Sequence, residues 1–181
     1  MTTRNYEDDL EQLLNSIGVI ASEVLGECKS VYEKNGLVFN DIAFRSVVGD
    51  IHAKVLGKYL KSALGHEPEY EKTIVGKIRA DLQFNDILTI EVKSHGQFGS
   101  CALKKRFERM VKEKPSMKHL YVAFREREDY VEKTIRLLQP LEVETFFLSS
   151  YTQSPFKLRK SPKSLRQLLE AVKNELGSEN R

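Results

Sequence analysis

The sequence predicts an α/β fold in three layers, a mixed β-sheet flanked by helices. Three strand-like runs follow one another after Pro68, and a helix–strand–helix–strand series follows them from Ala102, so antiparallel hairpins lead into crossover connections. A length of 181 residues with 40% apolar side chains supports one packed core, because chains of this size bury about two-thirds of their extended surface.

Each element has its own signal. Asn5 is placed to cap a first helix running to about Leu25, with Tyr6, Leu10, Leu13, Leu14, Ile17, Ile20 and Val24 recurring at three and four and Gly26 as the stop. That helix suits packing on a sheet or dimerisation equally. A second helix starts after Asn40-Asp41 and shows Phe44, Val47, Val48, Ile51, Val55, Tyr59 and Ala63 on one stripe, ending before Gly65. Residues 69–75, 77–84 and 87–94 read as strands punctuated by Gly76 and Asn85-Asp86. A helix at 102–113 turns Leu103, Phe107, Met110 and Val111 inward and ends at Pro115-Ser116. Residues 118–124 form a strand apolar enough for burial on both faces. A helix near 130–138 and a strand at 143–148 follow, then a linker at 154–164 with two prolines. The last helix opens on a Ser164-x-x-Gln167 capping box, carries Leu165, Leu168, Leu169, Val172 and Leu176, and stops at Gly177. The organisation is a helical extension at 1–40, a core at 41–150, and a basic linker with a closing helix at 151–181, one domain overall.

Composition narrows the function classes. No apolar run approaches the roughly 18 residues of a membrane span, and the early acidic residues Glu7, Asp8 and Asp9 suit neither a secretory signal nor a transit peptide. Two cysteines, Cys28 and Cys101, are too few for a disulfide scaffold or a four-thiolate metal site. These features predict a soluble, cytoplasmic protein. The net charge of +3 is unevenly spread: residues 1–35 carry −4, residues 94–118 carry +5, and the tail from Tyr151 carries +4. Two basic segments suggest a face for a polyanion, although solvated helices look the same. Lys105, Arg109 and Lys112 share one side of the 102–113 helix, beside Lys104 and Arg106, and suit phosphate contacts.

The chemistry concentrates at residues 78–94. Strand alternation puts Ile78, Ala80, Leu82 and Phe84 on one face and Arg79, Asp81 and Gln83 on the other, while Thr89, Glu91 and Lys93 form the polar face of the next strand. A two-residue turn at Asn85-Asp86 would separate Asp81 from Glu91, whereas a three-residue connection at Asn85-Asp86-Ile87 pairs them at a Cβ separation of roughly 5 Å. We expect the register that unites the acids. Two carboxylates so close repel, and a hard divalent cation such as Mg2+ resolves the repulsion while Lys93 lies beside any water or phosphate it holds. Those are the parts of metal-assisted phosphodiester hydrolysis. The competing reading is an exposed sheet face with a weak surface salt bridge.

Asp81, nine intervening residues and then Glu91-Val92-Lys93 at the end of an apolar strand resemble the PD-(D/E)XK nuclease superfamily of restriction endonucleases, archaeal junction resolvases and repair nucleases. The resemblance spans about residues 47–124 and implies a restriction-endonuclease-like core acting as an Mg2+-dependent DNA endonuclease, with Mn2+ as a substitute. It implies Asp81 and Glu91 as metal ligands, with the Val92 carbonyl as a possible third, and Lys93 as the residue that orients the attacking water or stabilises the transition state. Asp50, in Gly49-Asp50-Ile51-His52, stands where relatives usually place a glutamate, and Ala80 replaces the motif's proline. Gln97 is a possible auxiliary. Cutting both strands of a duplex implies a homodimer. The alternative is a catalytically inactive nucleic-acid-binding domain with the same fold. No glycine-rich segment completes a phosphate-binding loop, and His52, His66, His95 and His119 lack zinc-ligand spacing.

Overall fold

The computed structural model describes residues 23, 25–38, 41–93, 100–124, 126–151, 158–160 and 165–177. Residues 25–34 are helical (α1), followed by α2 (Asp41–Leu64), β1 (Glu69–Val75), β2 (Ile78–Phe84), β3 (Leu88–Lys93) and α3 (Ser100–Glu113). Then come β4 (Lys118–Ala123), β5 (Glu126–Arg127), α4 (Glu128–Leu138), β6 (Glu144–Phe147), β7 (Ser149–Tyr151), β8 (Leu158–Lys160) and α5 (Leu165–Gly177). The expected first helix at 5–25 lies almost wholly outside the described residues.

The main sheet has the order β1-β2-β3-β4-β6. Pairing is antiparallel through β1, β2 and β3, and parallel from β3 to β4 and from β4 to β6. Parallel neighbours need a crossover, which α3 supplies between β3 and β4 and α4 between β4 and β6. Leu82, Phe84, Leu88, Ile90, Val92, Leu120, Val122 and Phe146 pack on α2 and α5, the latter through Leu165, Leu168, Val172 and Leu176. On the opposite side Tyr121, Ala123 and Phe147 pack on Leu103, Phe107 and Met110 of α3 and Leu138 of α4. The chain is therefore α/β, a five-stranded mixed sheet between helices. β4 lies inside the sheet between β3 and β6 and is buried from His119 to Ala123, as its apolar run predicts.

Three local expectations are corrected. Helix α1 runs through Gly26 and ends at the Asn35-Gly36 turn, where Gly36 takes a left-handed φ of 67°. Helix α2 buries only part of the 47–51–55–59 stripe: Val55 and Tyr59 are half-buried against the core and Val47 and Ile51 are exposed, while His52, Ala53, Leu56 and Leu60 are the fully buried residues. Apolar residues surround this helix, so periodicity does not choose a side. Gly57 does, because a Cβ there would lie 2.6 Å from the Tyr70 hydroxyl and 3.0 Å from Leu82 Cδ2, so the helix backbone seats directly on β1 and β2. Within the expected linker, residues 158–160 pair antiparallel with β7, and β7 pairs with β5, making a second sheet of three short strands.

Gly26 and Gly57, both helical, give opposite expectations. Gly26 has nothing within 4 Å of an added Cβ, so Gly26→Ala stabilises by up to ~1 kcal/mol through helix propensity. Gly57→Leu forces α2 off the sheet and destabilises by ~1–3 kcal/mol. Thermal unfolding checks both, Tm rising in the first variant and falling in the second.

Candidate active site

The hairpin register is the one that unites the acids. Leu82 pairs with Ile90, Gln83 with Thr89 and Phe84 with Leu88, so the connection is Asn85-Asp86-Ile87. Asn85 adopts a φ of 48°, the left-handed residue such a loop needs, and the Ile87 N–H donates to the Phe84 carbonyl at 3.2 Å. Continued by one step, that register sets Asp81 opposite Glu91.

The strands do not continue regularly past that step. Where the next ladder bond is due, the Val92 N–H donates instead to Asp81 Oδ2 at 2.6 Å. On the other side of β2, Tyr70 pairs with Leu82 and Lys72 with Ala80, leaving Glu71 across from Asp81 with a φ of 52°. Both strands change faces there: Tyr70 and Leu82 pack toward α2, whereas Ile74, Ile78 and Ala80 pack toward α3. This corrects the simple alternation that grouped Ala80 with Leu82. Left-handed backbone at a non-glycine residue costs of order 1–3 kcal/mol, and here it flanks the residue assigned as a ligand.

Asp81, Glu91 and Lys93 come together. The Lys93 ammonium donates to Glu91 Oε1, lies 3.7 Å from Asp81 Oδ2, and reaches the Val92 carbonyl at 3.2 Å. Its contacts are thus the three oxygen sources that the resemblance implies for a metal, and the ammonium stands in for a cation among them. Such hard oxygen donors, two of them carboxylates, suit Mg2+, which binds through few protein oxygens and keeps several waters. Arg106 of α3 joins the cluster, its Nη2 donating to Glu91 Oε2 at 2.7 Å and also to the Arg79 carbonyl. Glu91 is 1% exposed, so the surface-salt-bridge reading fails. Burial, and then the nearby charge of Glu91, push Asp81 up to about 6, against the opposing pull of Lys93 and the Val92 N–H.

Below the cluster runs a buried polar row that sequence pattern missed. Gln83 pairs with Thr89, and Thr89 with His119, across β2, β3 and β4. Thr89 Oγ1 and His119 Nδ1 share a hydrogen bond of 2.7 Å, and Gln83 Nε2 donates to the Asn85 carbonyl at 2.6 Å. Burial lowers the His119 pKa from the ordinary histidine value.

The remaining assigned residues are dispersed. Asp50 is exposed on α2, and among the described residues no third acidic, histidine or cysteine side chain forms a metal-sized group with Asp81 and Glu91. Gln97 and His95 lie outside the described residues. His52 is a core residue, its Nδ1 2.7 Å from the Val48 carbonyl and its ring 4.7 Å from that of Phe124. On α3, Lys105 and Lys112 are exposed and Lys104 is 3.6 Å from Glu108. Arg109 lies over the β1–β2 turn, 3.0 Å from the position of a Cβ on Gly76. The inward turn of Arg106 was legible in principle, because 103, 106, 107 and 110 form one helical stripe and Leu103, Phe107 and Met110 are its buried members. No helix of the described residues is long and apolar enough to cross a membrane. Comparison with family models, with curated proteins and with solved structures finds no match to this chain.

The raised Asp81 carboxyl makes stability depend on pH. Folded Asp81 keeps its proton up to about pH 6, whereas an unfolded aspartate releases it near about 3.9, so stability falls as pH rises through this window. Asp81→Asn keeps an acceptor for the Val92 N–H and removes the buried charge. It is expected to stabilise the metal-free protein by ~1–3 kcal/mol at pH 7 and by little at pH 4. Urea unfolding at the two pH values tests this, and an equal gain at both would contradict it.

Proposed function

We propose that this protein is a divalent-metal-dependent DNA endonuclease of the PD-(D/E)XK type, with a restriction-endonuclease-like core. The observation that carries the reading is the buried convergence of Asp81, Glu91 and the Val92 carbonyl around the Lys93 ammonium. Four ionic side chains in a largely buried cluster are poor stabilisers compared with well-packed apolar residues. Their chemistry, rather than their contribution to folding, accounts for them.

Mg2+ held by Asp81 and Glu91, with the Val92 carbonyl as a third oxygen, would supply Lewis acidity and two positive charges, and Mn2+ would substitute. Two carboxylates and two cations balance in the protein alone. With a divalent ion the cluster is net positive by two, which suits the dianionic transition state of phosphodiester hydrolysis. With the metal held there, the Lys93 ammonium would be available to orient the attacking water or to stabilise the phosphate. Lys105 and Lys112, exposed on α3, contact the DNA backbone without regard to sequence, and such contacts weaken with salt. A homodimer would serve to cut both strands of a duplex.

Supercoiled plasmid and end-labelled oligonucleotides incubated with Mg2+, Mn2+ or EDTA test the reading. Wild-type protein is expected to cut with either metal and not with EDTA. Asp81→Ala, Glu91→Ala and Lys93→Ala are each expected to lower the rate ~100-fold or more. Cutting that persists in EDTA, or at the wild-type rate in Asp81→Ala, would overturn the site. Metal-independent DNA binding with no cutting would favour the inactive binding domain.

A further inference from the structure

Arg106 sits in a basic helix and on charge alone is a phosphate contact, yet its guanidinium is turned away from the exposed side of α3. Its Nε is buried from solvent, and its Nη2 donates to two acceptors at once, the Arg79 carbonyl and Glu91 Oε2. Those acceptors belong to the two strands that carry the acids. Arg79 stands two residues before Asp81 on β2, beyond Leu82↔Ile90, the last regular pair toward that end. From there the strands are joined by side chains, the Asp81 carboxylate bonding the Val92 N–H and the Arg106 fork bridging the Arg79 carbonyl to Glu91. The two cations also divide Glu91 between them. Lys93, which also approaches Asp81, takes Oε1, and Arg106 takes Oε2. A divalent ion held by Asp81 and Glu91 would compete with the Lys93 ammonium for the acids, with Arg106 supporting Glu91 through its other oxygen.

We propose that Arg106 is a positioning residue that holds Glu91 aimed at Asp81, and that it fixes the spacing of β2 and β3 at the metal site rather than binding DNA phosphate. This inference rests on the metal-dependent reading of the same site. It divides the basic helix into two functions. Lys105 and Lys112, exposed beyond the stripe that includes Arg106, serve the polyanion, and Arg106 on the inner flank serves the carboxylates.

The test measures Mn2+ binding to the full chain by calorimetry, together with duplex-DNA binding in EDTA over a range of salt, for wild type, Arg106→Met, Arg106→Lys and Lys105→Ala. Arg106→Met is expected to weaken Mn2+ binding ~10–100-fold, the usual effect of losing a partner that orients a ligand. Its DNA salt dependence should match wild type, whereas Lys105→Ala should reduce the salt slope by about one contact. Arg106→Lys keeps the charge without the fork, which makes it the variant to read if Arg106→Met fails to fold. Its Mn2+ affinity should fall between the other two. Mn2+ affinity in either Arg106 variant equal to or tighter than wild type would overturn the proposal, as would a salt slope reduced by Arg106→Met. Wild-type protein that binds no Mn2+ would instead refute the metal-dependent reading and remove this inference with it.

Discussion

Two carboxylates cannot be buried side by side unless positive charge is placed between and around them. Much of the structure around β2 and β3 follows from that constraint. Glu91 is almost fully enclosed, Asp81 is mostly so, and each needs compensation that water does not supply. Lys93 provides it from the same strand as Glu91, and Arg106 provides it from the crossover helix. Asp81 still resists ionisation, being raised to about 6. Burial is the first cause of that shift, and the neighbouring charge of Glu91 adds to it.

The fold supplies this arrangement through its topology. An antiparallel hairpin sets the acids on neighbouring strands, and the parallel step from β3 to β4 needs a helix, which brings α3 over the cluster. The regular sheet is also locally broken to make room. The left-handed Glu71, the end of the β2–β3 ladder and the change of faces on β1 and β2 all occur at the level of Asp81. Regular pairing would have used the Val92 N–H in a backbone bond. Here Asp81 takes it, and regular pairing of the two strands stops at Leu82 and Ile90.

Much of this was legible in the residues. The strands of the main sheet, the crossover helix and the α5 stripe follow from periodicity and turn chemistry. The hairpin register follows from loop length together with the demand that the acids meet. What periodicity missed has physical reasons. Helix α2 is apolar on several sides, so its buried face was decided by the backbone approach at Gly57 rather than by a stripe. Gly26 is compatible with a helix end, but it is not compelled to be one. The change of faces at Asp81 is a backbone event to which the identities of Ala80 and Leu82, both apolar, are indifferent. For Arg106 charge suggests solvent, whereas helical phase places it beside Phe107 and Met110, and its Nη2 reaches Glu91.

A diffraction experiment on crystals grown with Mn2+ tests the central claim most directly, since anomalous scattering locates the ion without reference to activity. The account predicts one peak between Asp81 and Glu91, within coordination distance of both carboxylates, with the Lys93 ammonium displaced from Glu91. Crystals that show no peak there, and an ammonium still seated between the acids at saturating metal, would contradict it.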